Sequence, residues 1–224
     1  IACFGRMLAD APDLNTDASA QVAHAFSIDQ ITPEYDYFTA VDDCASDDNA
    51  GAAMIDTVGF NSSTLYRYAT LNVDALRDQL QDADAMVEGV SAFVEAFVKS
   101  MPSGKQNTFA NHTLPEDIVI VLRDSQPISA ADAFENPIKR KDGISVSRQG
   151  IERLGDRLNE IRINYGEEPV KAWHVVSGGS VPSLDEWSEQ VTLPELEQYY
   201  RKLDLYFSFA RAFDCEVDED ALYD

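Results

Sequence analysis

Asp36-Tyr-Phe-Thr-Ala-Val-Asp-Asp43 and Phe60-Asn-Ser-Ser-Thr-Leu-Tyr-Arg-Tyr-Ala69 are two aromatic, β-branched runs. Between them lies a small, polar, acidic segment that contains Cys44, Asp47, Asp48, Asn49 and Gly51. Aromatic and β-branched residues suit the pleated, half-buried surface of a strand, whereas the segment between has no apolar area with which to pack a core. The pattern predicts two strands carrying a long projecting excursion, and such an excursion usually meets a partner rather than serving the fold. Alternation over Tyr35 to Val41 divides the side chains, with Tyr37, Thr39 and Val41 on one face and Phe38 and Ala40 on the other. Met54 to Val58 reads as the returning arm. Ser63 to Leu71 reads as a further strand, with Tyr66 and Tyr68 opposite Leu65, Arg67 and Ala69.

Working outward, Ile1 to Phe4 reads as a strand leading into Gly5-Arg6-Met7, and Asp17 to Phe26 as a short helix with Val22, Ala25 and Phe26 on one face. Asn72 is placed to cap a helix over Val73 to Leu80. A second helix runs from about Ala83 to Met101, with Met86, Val90, Phe93, Phe97 and Met101 at helical spacing, and Pro102 stops it. The Ser103 to Asn107 loop precedes a strand over Ile118 to Leu122. Ser145 to Asn164 is an amphipathic helix that turns Ile151, Leu154, Leu158 and Ile161 inward and Arg153, Arg157 and Arg162 outward, ending at Tyr165-Gly166. Lys171 to Val176 is the last strand expected. Ser183-Leu-Asp-Glu186 has the form of a capping box, a longer helix covers about Pro194 to Phe213, and the acidic end from Glu216 to Asp224 is expected to fray. The order of elements suits an α+β, ferredoxin-like sheet with insertions.

A chain of 224 residues can build one good core, or a core with a large insertion. Its hydrophobic fraction of 45% with 10% aromatics is ordinary globular composition. The longest apolar run falls far short of the roughly 20 residues a membrane helix needs, so no membrane partner is expected. The chain opens on Ile1 inside an apolar segment, which reads as a fragment and not as an intact secretory precursor. Cys3, Cys44 and Cys215 are odd in number and widely separated, which argues against a disulfide framework or zinc site and favours a reducing cytoplasm.

The formal net charge is -23, whereas a protein that grips phosphates by itself is usually basic. The charge is uneven. Residues 1–98 hold only Arg6, Arg67 and Arg77 as cations against seventeen acids, while Lys139, Arg140, Lys141, Arg148, Arg153, Arg157 and Arg162 follow within a short stretch. A nucleic-acid footprint is therefore expected near that second region. Lys139-Arg140-Lys141 before Asp142-Gly143 is the strongest local basic signal.

Gly5-Arg6-Met7, Asp36 to Asp43, Tyr66-Arg-Tyr-Ala69, Ser103-Gly-Lys-Gln-Asn107 and Asp132-Ala-Phe-Glu135 together give the chain its resemblance to a known family. In order and approximate spacing they resemble the backbone subunit of the type I-E CRISPR Cascade complex, the CasC family. The likeness covers most of residues 1 to about 166. It implies an RNA-recognition-type sheet lacking its first strand, as an RNA-recognition-like domain over residues 1–177 with a thumb hairpin inserted at about 28–61. Residues 178–224 would form a C-terminal helical extension with an acidic tail. The resemblance also implies a noncatalytic subunit that polymerises along guide RNA (crRNA) and presents it for pairing with target DNA in antiviral defence. Its partners would be further copies of itself and other Cascade subunits, with no cofactor. The family has a substantial part before the position of Ile1 that holds much of the basic RNA-contacting surface, so this chain alone is expected to bind guide RNA poorly.

The implied RNA-binding residues are Arg6, Met7, Tyr37, Phe38, Thr39, Val41, Ile55, Lys105, Gln106, Lys139, Arg140 and Lys141. Met7 matches a position packed against a base, and the hairpin residues would wedge bases apart while the basic run touches the guide backbone. Stacking on aromatic faces is worth roughly 1–3 kcal/mol per base and is indifferent to sequence, as a changing guide requires. Each residue also has a plainer reading. Gly5 is an ordinary turn, Phe38 and Ile55 pack the hairpin base, and Lys105 and Gln106 sit in a solvated loop. The Ser103-to-Gln106 loop is not a nucleotide-binding loop, since Lys99 stands where the first glycine of that motif belongs.

Catalysis is poorly supplied. His24, His112 and His174 are isolated, and no metal-ligand spacing is present. Adjacent strand residues such as Asp42 and Asp43 point to opposite faces and would not share one ion. Two rival readings are a metal-dependent nuclease using Asp42, Asp43 and a histidine, and a single-stranded RNA-binding module that does not polymerise.

Overall fold

The computed structural model describes residues 1–40, 54–196 and 198–200. In chain order the strands are β1 (Ala20–Val22), β2 (Phe26–Ser27), β3 (Glu34–Ala40), β4 (Met54–Phe60), β5 (Leu65–Tyr66), β6 (Ala69–Leu71), β7 (Asp117–Leu122), β8 (Lys171–Val176) and β9 (Glu189–Gln190). The helices are α1 (Val73–Leu80), α2 (Ala83–Lys99), α3 (Gln106–Phe109), α4 (Val146–Tyr165) and α5 (Pro182–Asp185). The architecture is α+β, with the expected projecting hairpin and added helices. Among the described residues the strands pair in four small sheets, β1 with β6, β2 with β5, β3 with β4, and β7-β8-β9, the last mixing antiparallel and parallel pairs.

Three helices start where a side chain can satisfy an orphan amide. The Asn72 and Asp82 side chains each accept from the backbone N–H three residues on, at 2.9 Å in both cases, and Ser145 Oγ accepts from Arg148 N–H at 3.1 Å. Gly166, at φ +65°, closes α4. One core packs Leu76 of α1 and Met86 and Val90 of α2 against Trp173 of β8, Val191, Leu196 and Tyr200. A second joins Ile28, Phe134 and Ile138, and a third sets Ile151 of α4 against Val181 and Leu184. The stretch after residue 177 thus contributes β9 beside β8 and packs α5 onto α4.

Five local expectations are revised, two of them by longer-range strand pairing. Ile1 to Phe4 is a turn and not a strand: the N–H groups of Phe4 and Gly5 both donate to the Ile1 carbonyl. Gly5 makes that turn possible, since at φ +72° any Cβ would lie 2.7 Å from the Thr16 carbonyl oxygen. Asp17 to Phe26 holds β1 and β2, because Ala20–Val22 pairs with β6 and Phe26–Ser27 with β5. The same two partners divide the single strand expected over Ser63 to Leu71 into β5 and β6. The Ser103 to Asn107 loop contains the start of α3, entered through Lys105 at φ +62°. The capping box falls elsewhere than expected. The helix at Pro182 has no side-chain cap, whereas the Glu195 carboxylate accepts from Thr192 N–H at 2.7 Å, ahead of the helical residues 193–196 and 198–200.

Candidate nucleic-acid interface

The register of β3 with β4 decides which hairpin side chains act together. Tyr35 lies opposite Gly59, Tyr37 opposite Thr57 and Thr39 opposite Ile55. Directly opposed residues share a face, so Tyr35, Tyr37, Thr39, Ile55 and Thr57 form one uncharged surface. Tyr37 and Ile55 are each 61% exposed. The Tyr35 ring leans over Gly59, where an added Cβ would sit 3.6 Å from the ring edge. The opposite face carries Glu34, Asp36, Phe38, Asp56, Val58 and Phe60, and so holds the acids of the described part of the hairpin. At the hairpin's base Phe60 meets Phe109 of α3, ring centroids 4.9 Å apart, which ties that end of the face to the body, while Glu34, Asp36 and Asp56 remain exposed. Phe38, half-buried and opposite Asp56, therefore lies on the other side of the ribbon from Tyr37, Thr39 and Ile55. Val41 is outside the described residues.

The neck of the hairpin is closed by the backbone and by one acid. Ile28 N–H donates to the Thr64 carbonyl at 2.9 Å. The Asp29 carboxylate accepts from Thr64 N–H at 3.0 Å and from the Ser27 hydroxyl at 3.1 Å. Asp29 is only 5% exposed. Beside it Ile138 N–H donates to the Ile28 carbonyl at 2.8 Å, which brings the basic run against the neck. Lys139, Arg140 and Lys141 are all exposed and lead into a tight turn that Lys141 and Ile144 close, with Gly143 at φ +80°. Arg140 Nη2 stands 3.6 Å from Asp29 Oδ2.

The cations of α4 are disposed differently. Arg148 donates to the carbonyls of Gly178, Gly179 and Ser180 and to Glu152. Arg153 donates to the Asn136 carbonyl at 2.6 Å, Arg157 to Asp132 at 2.7 Å, and Arg162 to Asn159 and to Glu168 at 2.8 Å. Of the cations between residues 139 and 162, those of α4 are thus engaged within the chain, whereas Lys139, Arg140 and Lys141 are exposed.

Two motif stretches turn out to hold this region together. Tyr66 packs against Phe26 and Phe134, each with ring centroids 5.3 Å away, and burial raises its phenol pKa. Arg67 lies 4.5 Å over the Phe97 ring. Of the remaining site residues, Arg6 donates to the Leu14 carbonyl at 3.0 Å, and Met7 beside it is 86% exposed. Gln106 donates to the Pro102 carbonyl, while Lys105 is exposed at the head of α3 and so near the hairpin base. Sequence reasoning missed Asp29, Ser27 and Thr64. The one available signal was an acid set between Ile28 and Ile31 where the excursion begins.

His24 and His112 are exposed. His174 is buried on β8, with Nδ1 2.8 Å from the Ser188 hydroxyl and Nε2 3.1 Å from Asp185. Burial pushes its pKa below the ordinary histidine value against the pull of Asp185, and its enclosure leaves no access for a substrate. Asp42 and Asp43 lie outside the described residues. Among the described residues, no group of three His, Cys, Asp or Glu side chains is placed to hold a metal ion, and no helix is long and apolar enough to cross a membrane.

Known proteins resemble both the fold and the sequence. A chain of a "CRISPR RNA-guided surveillance complex, pre-nicking" is 32% identical with a TM-score of 0.77, over 88% of this chain and 53% of that one. A chain of a "CRISPR RNA-guided surveillance complex" is 30% identical with a TM-score of 0.76, over 88% of this chain and 76% of that one. The present chain thus spans about half the length of the first. No curated protein matches significantly. These likenesses support a Cascade-type CRISPR protein. The chain belongs to the CT1975-like protein family, whose model matches residues 1–199.

Proposed function

We propose that this chain is a noncatalytic backbone subunit of a type I-E Cascade complex in the cytoplasm. Several copies polymerise along one guide RNA and present it for pairing with target DNA, in contact with the other Cascade subunits. The observation that carries the reading is the uncharged, exposed face of the hairpin, Tyr35, Tyr37, Thr39, Ile55 and Thr57. A projecting ribbon with bare aromatic and branched side chains can stack or unstack bases without reading them. The acids of the described strands, Glu34, Asp36 and Asp56, lie on the other face of the ribbon. Lys139, Arg140 and Lys141 supply the phosphate contact. Repetition along the RNA multiplies a weak grip, so a protomer of net charge -23 need not bind strongly alone.

Light scattering of the full-length protein on guide RNAs of increasing length tests this. Bound mass is expected to grow in steps with RNA length, and a fixed one-to-one stoichiometry would refute polymerisation. Incubation with RNA or DNA and Mg²⁺ is expected to leave both intact; magnesium-dependent cleavage lost on Asp42→Ala would establish the nuclease reading instead.

A further inference from the structure

We infer that Asp29 is a positioning residue that locks the basic run to the neck of the hairpin, so that phosphate grip and base wedge are held as one body. The inference rests on the reading of the chain as an RNA-binding subunit. Asp29 divides its carboxylate between two tasks. Oδ1 takes the Thr64 N–H at 3.0 Å and the Ser27 hydroxyl at 3.1 Å, which closes the neck. Oδ2 faces the Arg140 guanidinium at 3.6 Å, which the neck itself does not require.

A buried carboxylate is costly unless a cation stands near it, and here the cation comes from the basic run. The Arg140 side chain remains 74% exposed while that of Asp29 is 2% exposed. The guanidinium carries five donors in a fixed fork, so one edge can rest on Asp29 while the rest meets a phosphate. A lysine, with a single compact ammonium, cannot be oriented in this way. The Ile138 N–H to Ile28 carbonyl bond runs alongside and holds the two backbones in register, so the backbone that carries Arg140 is fixed beside the strands that enter the hairpin.

The test uses the full-length protein with single-stranded guide RNA over a series of salt concentrations, comparing Asp29→Asn, Arg140→Gln, Arg140→Lys and the Asp29→Asn/Arg140→Gln double variant. Asparagine keeps the Oδ1 acceptor for Thr64 and removes only the charge. Asp29→Asn is expected to weaken binding about threefold to tenfold. It should lower the salt slope by about 0.7, the share of one phosphate on a single strand. Arg140→Lys should not restore full affinity, and the double variant should be no weaker than Arg140→Gln. Unchanged or tighter binding by Asp29→Asn, or a double variant in which both losses add, overturns the inference while the RNA-binding reading stands. Absence of salt-dependent binding by the unaltered protein overturns that reading and the inference with it. Should Asp29→Asn fail to fold, hydrogen exchange at the Thr64 amide in Arg140→Gln decides: faster exchange supports the lock, and unchanged exchange overturns it.

Discussion

The basic run Lys139, Arg140 and Lys141, which leads into the turn, leaves its side chains in solvent. Arg148, Arg153, Arg157 and Arg162 of α4, close by in sequence and alike in charge, are bonded to carbonyls and carboxylates of their own chain. Formal charge and available charge are therefore different quantities here. On α4, Arg148, Arg157 and Arg162 are already matched by Glu152, Asp132, Glu160 and Glu168, while Arg153 is bonded to the Asn136 carbonyl. At the basic run a phosphate meets two lysines with no ion pair among the described residues, and a third cation whose one neighbouring acid is buried.

The largest effect should separate these two groups directly. Lys139→Ala/Lys141→Ala in the full-length protein is expected to cost about tenfold or more in guide-RNA affinity at low salt. Its salt slope should fall by about 1.4 for two lost phosphate contacts, and its unfolding midpoint should barely move, as for most surface changes. Retained affinity would erase the distinction. Next in size is Gly150→Ala on α4, where an added Cβ would approach Ile28 Cδ1 to 2.6 Å. Urea unfolding should register about 1–3 kcal/mol of overpacking.

Arg148→Ala comes third. Losing the clamp on the Gly178 to Ser180 carbonyls should cost about 1–2 kcal/mol of stability, while affinity for RNA per folded molecule stays the same. A large loss of affinity instead would return α4 to the footprint.

The smallest effect concerns Asp117, whose pKa is raised from 3.8 to about 6 by burial, with Glu116 adding to the rise and Arg148 opposing it. An acid that holds its proton longer when folded contributes most below its unfolded value, near pH 3.8, and loses that contribution as pH rises through 6. Asp117→Asn should therefore stabilise the protein at pH 7 to 8 and have no such effect at pH 4. The gain is about 1 kcal/mol at most, since the group is partly exposed and solvent screens it. Thermal unfolding at the two pH values checks the sign.

The parts of the molecule legible in the sequence are those whose determinants lie within a few residues. Asn72 announces α1, and Ser145 and Gly166 bracket α4, because a cap acts on amides or carbonyls one turn away. The alternation of Tyr35 to Ala40 fixes the hairpin's faces before any partner strand is known. Asp17 to Phe26 misleads because its helical spacing is weaker than the pairing offered by strands some forty to fifty residues downstream. The basic region was visible as composition. The division within it was not, since it depends on carbonyls of Asn136 and Gly178 to Ser180 whose positions only the fold supplies. Asp29 was invisible for the same reason: its meaning lies in Thr64 and Arg140, each far away along the chain.

The meeting of Ile28 with Thr64 has one more consequence. Where two chain ends are already side by side, the entropy of closing the segment between them rises only slowly with its length, by about 0.6 kcal/mol per doubling. Lengthening or shortening the hairpin tip thus leaves the body's free energy almost untouched. Reach becomes an adjustable dimension, set by the residues between Ile28 and Thr64, while the remainder of the chain conserves a constant mounting for it.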